Sequence, residues 1–394
     1  MRVIFVYFGP LDVNSAIQAF HFGTELSDRG WDVTLAGIGD PSRINAIGEP
    51  NFECTNHEGL LAQIDEMEVD RERTIVCAWT PREPVRQVTE RIVSKLRVPY
   101  TIHLEDNERY LLESSAKMTL PELQRLPLAA QDRIAPPTLI HPTHHVEFLR
   151  GAAGVTVITE ELNEFNVGGR PHHVARPGID TERFDPERSS TVTRESLGLR
   201  PEDFLLVYHG TIHYANQHEM MSLYTAVKLL QRRGRRVKLV RLGHSEFGGA
   251  DPRAFRALSD GVLEMGPVSW RQMPDYLAIA DAYVQPGAPD EFNRYRLPSK
   301  LPEFLAMGRP VVLPDCNIGH DLVHGENALL MKEGNAVEIM SCVEQLIDDR
   351  ELAARLGRGA RKFALEQLSW PDNSAALGAF YTELISAHTE SLAA

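Results

Sequence analysis

An α/β fold in two doubly wound halves is what this sequence predicts. Short apolar runs bounded by turn residues alternate with longer stretches of helical period, the pattern of parallel strands joined by crossover helices. That pattern occurs twice, and 394 residues exceed what one hydrophobic core usually organises. Hydrophobic residues at 43% and charged residues at 24% sit near globular averages, so each half can bury a core of its own.

In the first half the strand candidates are residues 3–8, 32–36, 74–79, 100–104 and 155–159. The clearest helix between them covers 15–29, where Gly30 supplies a stop. Residues 118–142 carry five prolines and read as a surface excursion. Turn chemistry at Gly168-Gly169-Arg170-Pro171 and Arg176-Pro177-Gly178 marks the end of this half. A second series begins at 204–208 and continues through 238–242, 262–265, 282–285, 310–313 and 328–331. Amphipathic helices follow at 336–347 and 351–356, and a last one starts near Ser369, with Pro371 and Asp372 suited to its first turn. The expected organisation is therefore a domain over 1–175, a linker over 176–190, a second domain over 191–368 and a terminal helix over 369–394.

The net charge of −14 opposes binding to nucleic acid, whose phosphates the bulk field repels, and makes a small molecule the expected partner. Arg232, Arg233, Arg235 and Arg236 form the strongest basic cluster, at the end of a helical stretch where positive charge suits the dipole. Cys54, Cys77, Cys316 and Cys342 include no close pair, which fits neither a metal knuckle nor a disulfide framework. The first apolar run is too short for a signal peptide, and no run approaches the ~18 residues of a membrane helix. A cytoplasmic protein is the expectation, with peripheral membrane contact left open.

The chemistry concentrates in the second half. Ser299 can cap a helix whose free N–H groups, from Leu301 on, would face an anion. Lys300 adds a point charge there, and Arg294 and Arg296 reach from the preceding loop. Glu303 follows one turn later, a carboxylate able to accept two hydrogen bonds from vicinal ribose hydroxyls. The turn His209-Gly210-Thr211 ends a strand, where open parallel sheets take ligands, and Gly243 ends the next. The plainer readings are a surface lysine, a dipole-favoured glutamate and loop glycines.

The stretch Pro298-Ser-Lys-Leu-Pro-Glu-Phe-Leu-Ala-Met-Gly-Arg-Pro-Val-Val312, lying before Asp321-Leu-Val-His-Gly-Glu-Asn-Ala-Leu-Leu330, resembles the donor-site signature of family 4 glycosyltransferases. Arg176-Pro-Gly-Ile-Asp-Thr-Glu-Arg-Phe184 is similar to that family's interdomain turn, and Leu368-Ser-Trp370 to the start of its last helix. The resemblance implies a GT-B architecture, two Rossmann-like domains facing a central cleft, with the last helix returning to the first domain. It implies transfer of a sugar from a nucleotide-diphosphate sugar to an acceptor hydroxyl, with retention. The acceptor would lie on the first domain, where His103 resembles a histidine touching the transferred sugar. Glu105 and Asp106 would orient or deprotonate the acceptor, and the loop from Gly9 to Ser15 would sit opposite the phosphates. Core packing for His103 and a solvated helix start for the two acids are the alternatives.

Departures from the family pattern stand beside this. Thr211 and Gln217 occupy the places of its usual basic pair, and Tyr295 stands where the first of two paired glutamates belongs, leaving Glu291 as a substitute. A non-transferring relative, an epimerase or a nucleotide-sugar-binding subunit, is accordingly the second reading. No Asp-x-Asp motif is present in the sequence, and neither a metal nor another cofactor is expected.

Overall fold

Strands buried on both faces read as continuous apolar runs because crossover helices cover each side of the sheet. A computed structural model of the chain shows this twice; it describes all residues except 65, 68, 214, 247–251 and 394. The chain forms two compact units, one of residues 1–177 with 370–394 and one of residues 178–369.

The first unit holds β1 (Arg2–Tyr7), α1 (Asn14–Asp28), β2 (Asp32–Gly37), β3 (Glu53–Asn56), α2 (His57–Gln63), β4 (Thr74–Trp79), α3 (Glu83–Leu96) and β5 (Tyr100–Leu104). It continues with α4 (Glu108–Ala116), α5 (Leu120–Gln124), α6 (Leu128–Ile134), α7 (His144–Gly151), β6 (Gly154–Val157) and β7 (His172–Val174). All seven strands are parallel, in the order β3-β2-β1-β4-β5-β6-β7, so the winding reverses between β1 and β4. The excursion at 118–142 is not featureless: α5 and α6 lie within it, and Leu112, Leu123, Ala135 and Ile140 bury a small core.

The second unit holds β8 (Phe204–His209), α8 (Gln217–Arg232), β9 (Val237–Leu242), α9 (Pro252–Leu258), β10 (Val262–Gly266), α10 (Met273–Ala278) and β11 (Ala282–Val284). Then come α11 (Leu301–Ala306), β12 (Val311–Pro314), β13 (Leu329–Met331), α12 (Ala336–Asp348) and α13 (Arg350–Gln367). Its parallel order β10-β9-β8-β11-β12-β13 reverses between β8 and β11. Alternate residues of β8 enter opposite cores: Leu205 and Val207 join Phe304 and Phe363, whereas Phe204, Leu206 and Tyr208 join Leu223 and Val343. This is the period-two consequence of a sheet covered on both sides.

The stretch 176–190 passes between the units at Pro177–Gly178, and Phe184 is already buried in the second unit's core. Ser190 Oγ donates to the carbonyl of Asp275 at 2.9 Å within the same unit. The final helix α14 (Trp370–Ala393) packs in the first unit, where Trp370 stacks on His21 and meets Phe22 edge-on. Gly154 leaves room for it, since a Cβ there would lie 2.6 Å from Leu384 Cδ1. The arginine cluster is spent on surface pairs: Arg233 with Glu344 at 2.8 Å, Arg235 with Asp348 at 2.7 Å and Arg236 with Glu202 at 2.9 Å.

Helix α13 runs well past Leu356, where the sequence suggested an end. Gly357 and Gly359 look like stops but serve close packing, because a Cβ on either would collide with the carbonyl oxygen of Gly308 or Glu326. Helix propensity alone makes Gly357→Ala stabilising by ~1 kcal/mol, whereas forcing an atom into a packed contact costs about 1–3 kcal/mol. We expect the second to win and the urea midpoint to fall; a raised midpoint would show that α13 can slide off Gly308.

Candidate functional site

In the second unit the loops after β8, β9 and β11 meet where the strand order reverses, the usual ligand position in an open parallel sheet. Gly210 follows β8 with φ +137° and donates its N–H to the Leu242 carbonyl at 2.9 Å. Gly243 follows β9 with φ +119°, and a Cβ on it would stand 2.6 Å from the Gly210 oxygen. Both positions therefore need glycine, for conformation and for close approach. The buried Arg241 guanidinium fixes the second turn by donating to the carbonyls of Gly243 and His244 at 2.7 and 2.9 Å, with Glu264 as counter-ion at 2.6 Å. Asn216 fixes the first: its Nδ2 donates to the Thr211 carbonyl at 2.9 Å, and its Oδ1 accepts from the His213 N–H.

Lys300 lies over the Gly210 turn. Its Cε and Nζ would be 3.1 and 3.4 Å from a Cβ on that glycine, and Nζ is 5.0 Å from the centre of the Tyr208 ring. Burial and the neighbouring Arg296 push the amine down to about 8, against the pull of Glu219 and Glu303. Arg296 is held by a small lattice. Its Nε and Nη2 donate to Asn293 Oδ1 at 3.0 and 2.7 Å, its Nη2 is 3.3 Å from Glu219 Oε2, and its guanidinium covers the Phe292 ring at 4.0 Å. Asn293 Nδ2 in turn donates to Glu219 Oε1 at 2.6 Å. Burial holds the Glu219 carboxyl above its ordinary range, opposed chiefly by Arg296.

Glu303 reaches back to the end of β8, where its Oε2 is 2.7 Å from His209 Nε2, and His209 stands edge-on to Phe304. Arg183 stacks 3.1 Å above the Trp270 ring and donates to the Trp270 carbonyl at 2.8 Å. Burial lowers the Arg183 guanidinium, and Asp180 and Glu303 oppose that shift.

The structure thus brings His209, Gly210, Thr211, Gly243, Arg296, Lys300 and Glu303 together. Arg294 and Glu291 lie exposed on the loop between β11 and α11. Ser299 does not cap α11: the cap position is Lys300, without a side-chain bond, and Ser299 is exposed. The amide-rich helix tip is corrected as well. Helix α11 has six residues, the Leu301 N–H is given to the Pro298 carbonyl at 2.9 Å, Pro302 has none, and the Leu301 side chain is core. Charge at this site is therefore carried by side chains more than by a dipole.

In the first unit the outward-facing histidine is corrected too. His103 is 1% exposed, its ring lies against Trp79 at 4.4 Å between centroids, and its Nδ1 is 3.0 Å from Thr156 Oγ1. Burial alone takes the imidazole down to about 3, so it is neutral near pH 7. Glu105 is buried as well and accepts from Trp79 Nε1 at 3.0 Å; burial raises its carboxyl, opposed first by Arg82. Asp106 is 35% exposed and lies 3.5 Å from Arg82. Gly9 is buried, its carbonyl accepting from the Ile38 N–H at 2.8 Å, and Ser15 opens α1 beside Tyr7 and Glu105.

Two Rossmann-like units, each wound from its own point of strand reversal, give the chain a GT-B type fold. The Anabaena protein HepE, solved with UDP-glucose, superposes with a TM-score of 0.70 over 97% of this chain and 100% of that one, at 15% identity. Sucrose-phosphate synthase of Thermosynechococcus elongatus gives 0.64 over 98% and 100%, also at 15%. Residues 203–349, all in the second unit, match the family described as "Glycosyl transferases group 1".

Among curated relatives, D-inositol 3-phosphate glycosyltransferase of Streptomyces avermitilis is 26% identical over 225 residues, 55% of this chain and 47% of that protein. The GDP-mannose-dependent alpha-(1-6)-phosphatidylinositol monomannoside mannosyltransferase of Mycobacterium tuberculosis is 27% identical over 218 residues, 52% and 54% of the two chains. The chain spans about half the length of the curated relatives it matches.

Sequence reasoning missed Glu219, Asn293, Asn216, Arg241 and Arg183. The one signal in the chain was an acid in the first turn of the helix after His209-Gly210-Thr211. Because the Glu219 carboxylate supports the protonated amine, Glu219→Gln should move the Lys300 titration below about 8. NMR of 13C-methylated lysines reads this directly, and an unmoved or raised midpoint would remove Glu219 from the site.

Proposed function

We propose that the protein moves a sugar from a nucleotide-diphosphate sugar to an acceptor hydroxyl. The observation that carries this reading is the Lys300 amine seated over the Gly210 turn at the β8/β11 reversal, with Glu303 one helical turn away. A diphosphate bound there meets Lys300 and Arg296 in place of the basic pair that Thr211 and Gln217 lack. Glu303 takes vicinal hydroxyls of the ribose. The Anabaena protein solved with UDP-glucose makes uridine diphosphate the first nucleotide to try.

In the reaction the bond from the anomeric carbon to the diphosphate oxygen breaks and one to the acceptor oxygen forms. The charge that grows on the leaving diphosphate is where a fixed ammonium and guanidinium act most strongly. Retention, with the acceptor proton passing to the departing phosphate, and independence of metal belong to the same proposal. The latter is supported by the lack of an Asp-x-Asp motif.

Thermal-shift titration with UDP, GDP and UDP-glucose, followed by product analysis with sugar acceptors, tests the reading. Stabilisation by a nucleotide diphosphate and a transferred sugar are expected. Glu303→Ala should weaken nucleotide-sugar affinity by ~10–100-fold, the equivalent of about 1.5–3 kcal/mol for a charged hydrogen bond. An epimerised product, or full affinity in a folded Glu303→Ala variant, would contradict it.

A further inference from the structure

The second unit carries a further group of cations at the amino edge of its sheet, opposite the loops that follow β8, β9 and β11. Gly308 and Arg309 lead into β12, and residues 323–328 lead into β13. Helix α13 lies across both turns, with Gly357 against the Gly308 carbonyl and Gly359 against that of Glu326. The strands are parallel, so loops that precede them and loops that follow them lie at opposite edges. This place is therefore separate from the one around Lys300.

Along one face α13 turns Arg355, Arg358 and Lys362 to solvent, three and then four residues apart. Two open hollows adjoin there. One, of about 690 Å³, is lined by His324, Glu326 and Arg355 together with Arg358 and Lys362. The other, of about 540 Å³, shares Arg358 and Lys362 and adds Arg309, Arg361 and Glu366.

Carboxylates do not balance these cations. Arg233, Arg235 and Arg236 of the same unit each meet an acid. Among the described residues Arg309, Arg355, Arg358 and Arg361 meet none, and Lys362 is 3.9 Å from Glu366 one turn along. Arg361 gives its N–H groups to the carbonyls of Phe184, Ala306 and Thr181 at 2.8, 2.8 and 3.0 Å, which fixes the guanidinium and leaves its charge whole. Arg355 Nε donates to the Gly325 carbonyl at 3.2 Å, again with no counter-ion. Arg309 Nε is buried without an acceptor among the described residues. His324 Nδ1 accepts from the Leu330 N–H at 3.0 Å, so in the neutral ring Nε2 carries the proton and is one more donor.

Like charges three and four residues apart repel on a helix. None of these lies in the last turn of α13, where the dipole would favour it. A bound anion relieves that repulsion, and guanidinium groups held in fixed orientation match the paired oxygens of a phosphate. We propose that the amino edge of the second unit holds a phosphate-binding site, which takes inorganic phosphate or a small phosphate ester against Arg358 and Lys362. The site stands whether or not the transfer reaction does.

Isothermal calorimetry of inorganic phosphate and of glycerol 3-phosphate into the whole chain tests this. Both should bind, and the double variant Arg358→Ala, Lys362→Ala should weaken them by about tenfold or more. Arg358→Lys keeps the charge but not the fork and should weaken them less, whereas Glu326→Gln should tighten them. Arg235→Ala, a charge already balanced by Asp348, and Lys300→Ala, at the other edge, should leave both affinities unchanged. No binding by either anion, or a loss in Arg235→Ala or Lys300→Ala as large as in the double variant, would overturn the proposal. So would phosphatidylglycerol vesicles that hold the chain through Arg358 while inorganic phosphate does not bind, the outcome expected of a membrane-facing surface.

Discussion

The approach of two backbone turns, Gly210 against Gly243, is the constraint on which the rest of the second unit's site depends. With no side chain on Gly210, the Lys300 stem can lie across the turn, and its amine reaches the end of β8. A Cβ at Gly210 or Gly243 would push apart the amine or the neighbouring loop. The amine is confined where burial depresses it, and Glu219 and Arg296 set its balance from opposite directions. At about 8 the amine is still mostly protonated near pH 7, and a bound anion would hold that charge more firmly.

The two units use one topological device, a reversal of strand order, with different side chains around it. Each places polar side chains at the reversal of its strand order. In the second, Lys300 and Arg296 supply positive charge around glycine turns. In the first, Arg82 is paired with Glu108 and Asp106, Arg43 with Asp12, and the aromatic rings of Phe8, Tyr7 and Trp79 lie at the same edge.

Much of the fold was legible because buried parallel strands are continuous apolar runs: 74–79 and 100–104 match β4 and β5 residue for residue. Strands β3 and β7 escaped because they are short sheet-edge strands of mixed polarity, Glu-Cys-Thr-Asn and His-His-Val. The end of α13 was misjudged because glycines that make room for a neighbouring backbone look like helix stops. At the site, Lys300, Glu303, His209 and Gly210 were readable from local spacing. Glu219 and Asn293 were not, since their contact joins residues 74 apart. His103 and Glu105 looked like an exposed strand end because no local pattern shows that Trp79 covers them.

Calorimetric titration of UDP and UMP into the wild-type chain and Lys300→Ala tests most directly whether this amine holds the outer phosphate. The account predicts that UDP outbinds UMP in the wild type and that the variant loses most of this advantage while keeping its UMP affinity. An equal loss for both nucleotides, or an undiminished preference for UDP, would contradict it.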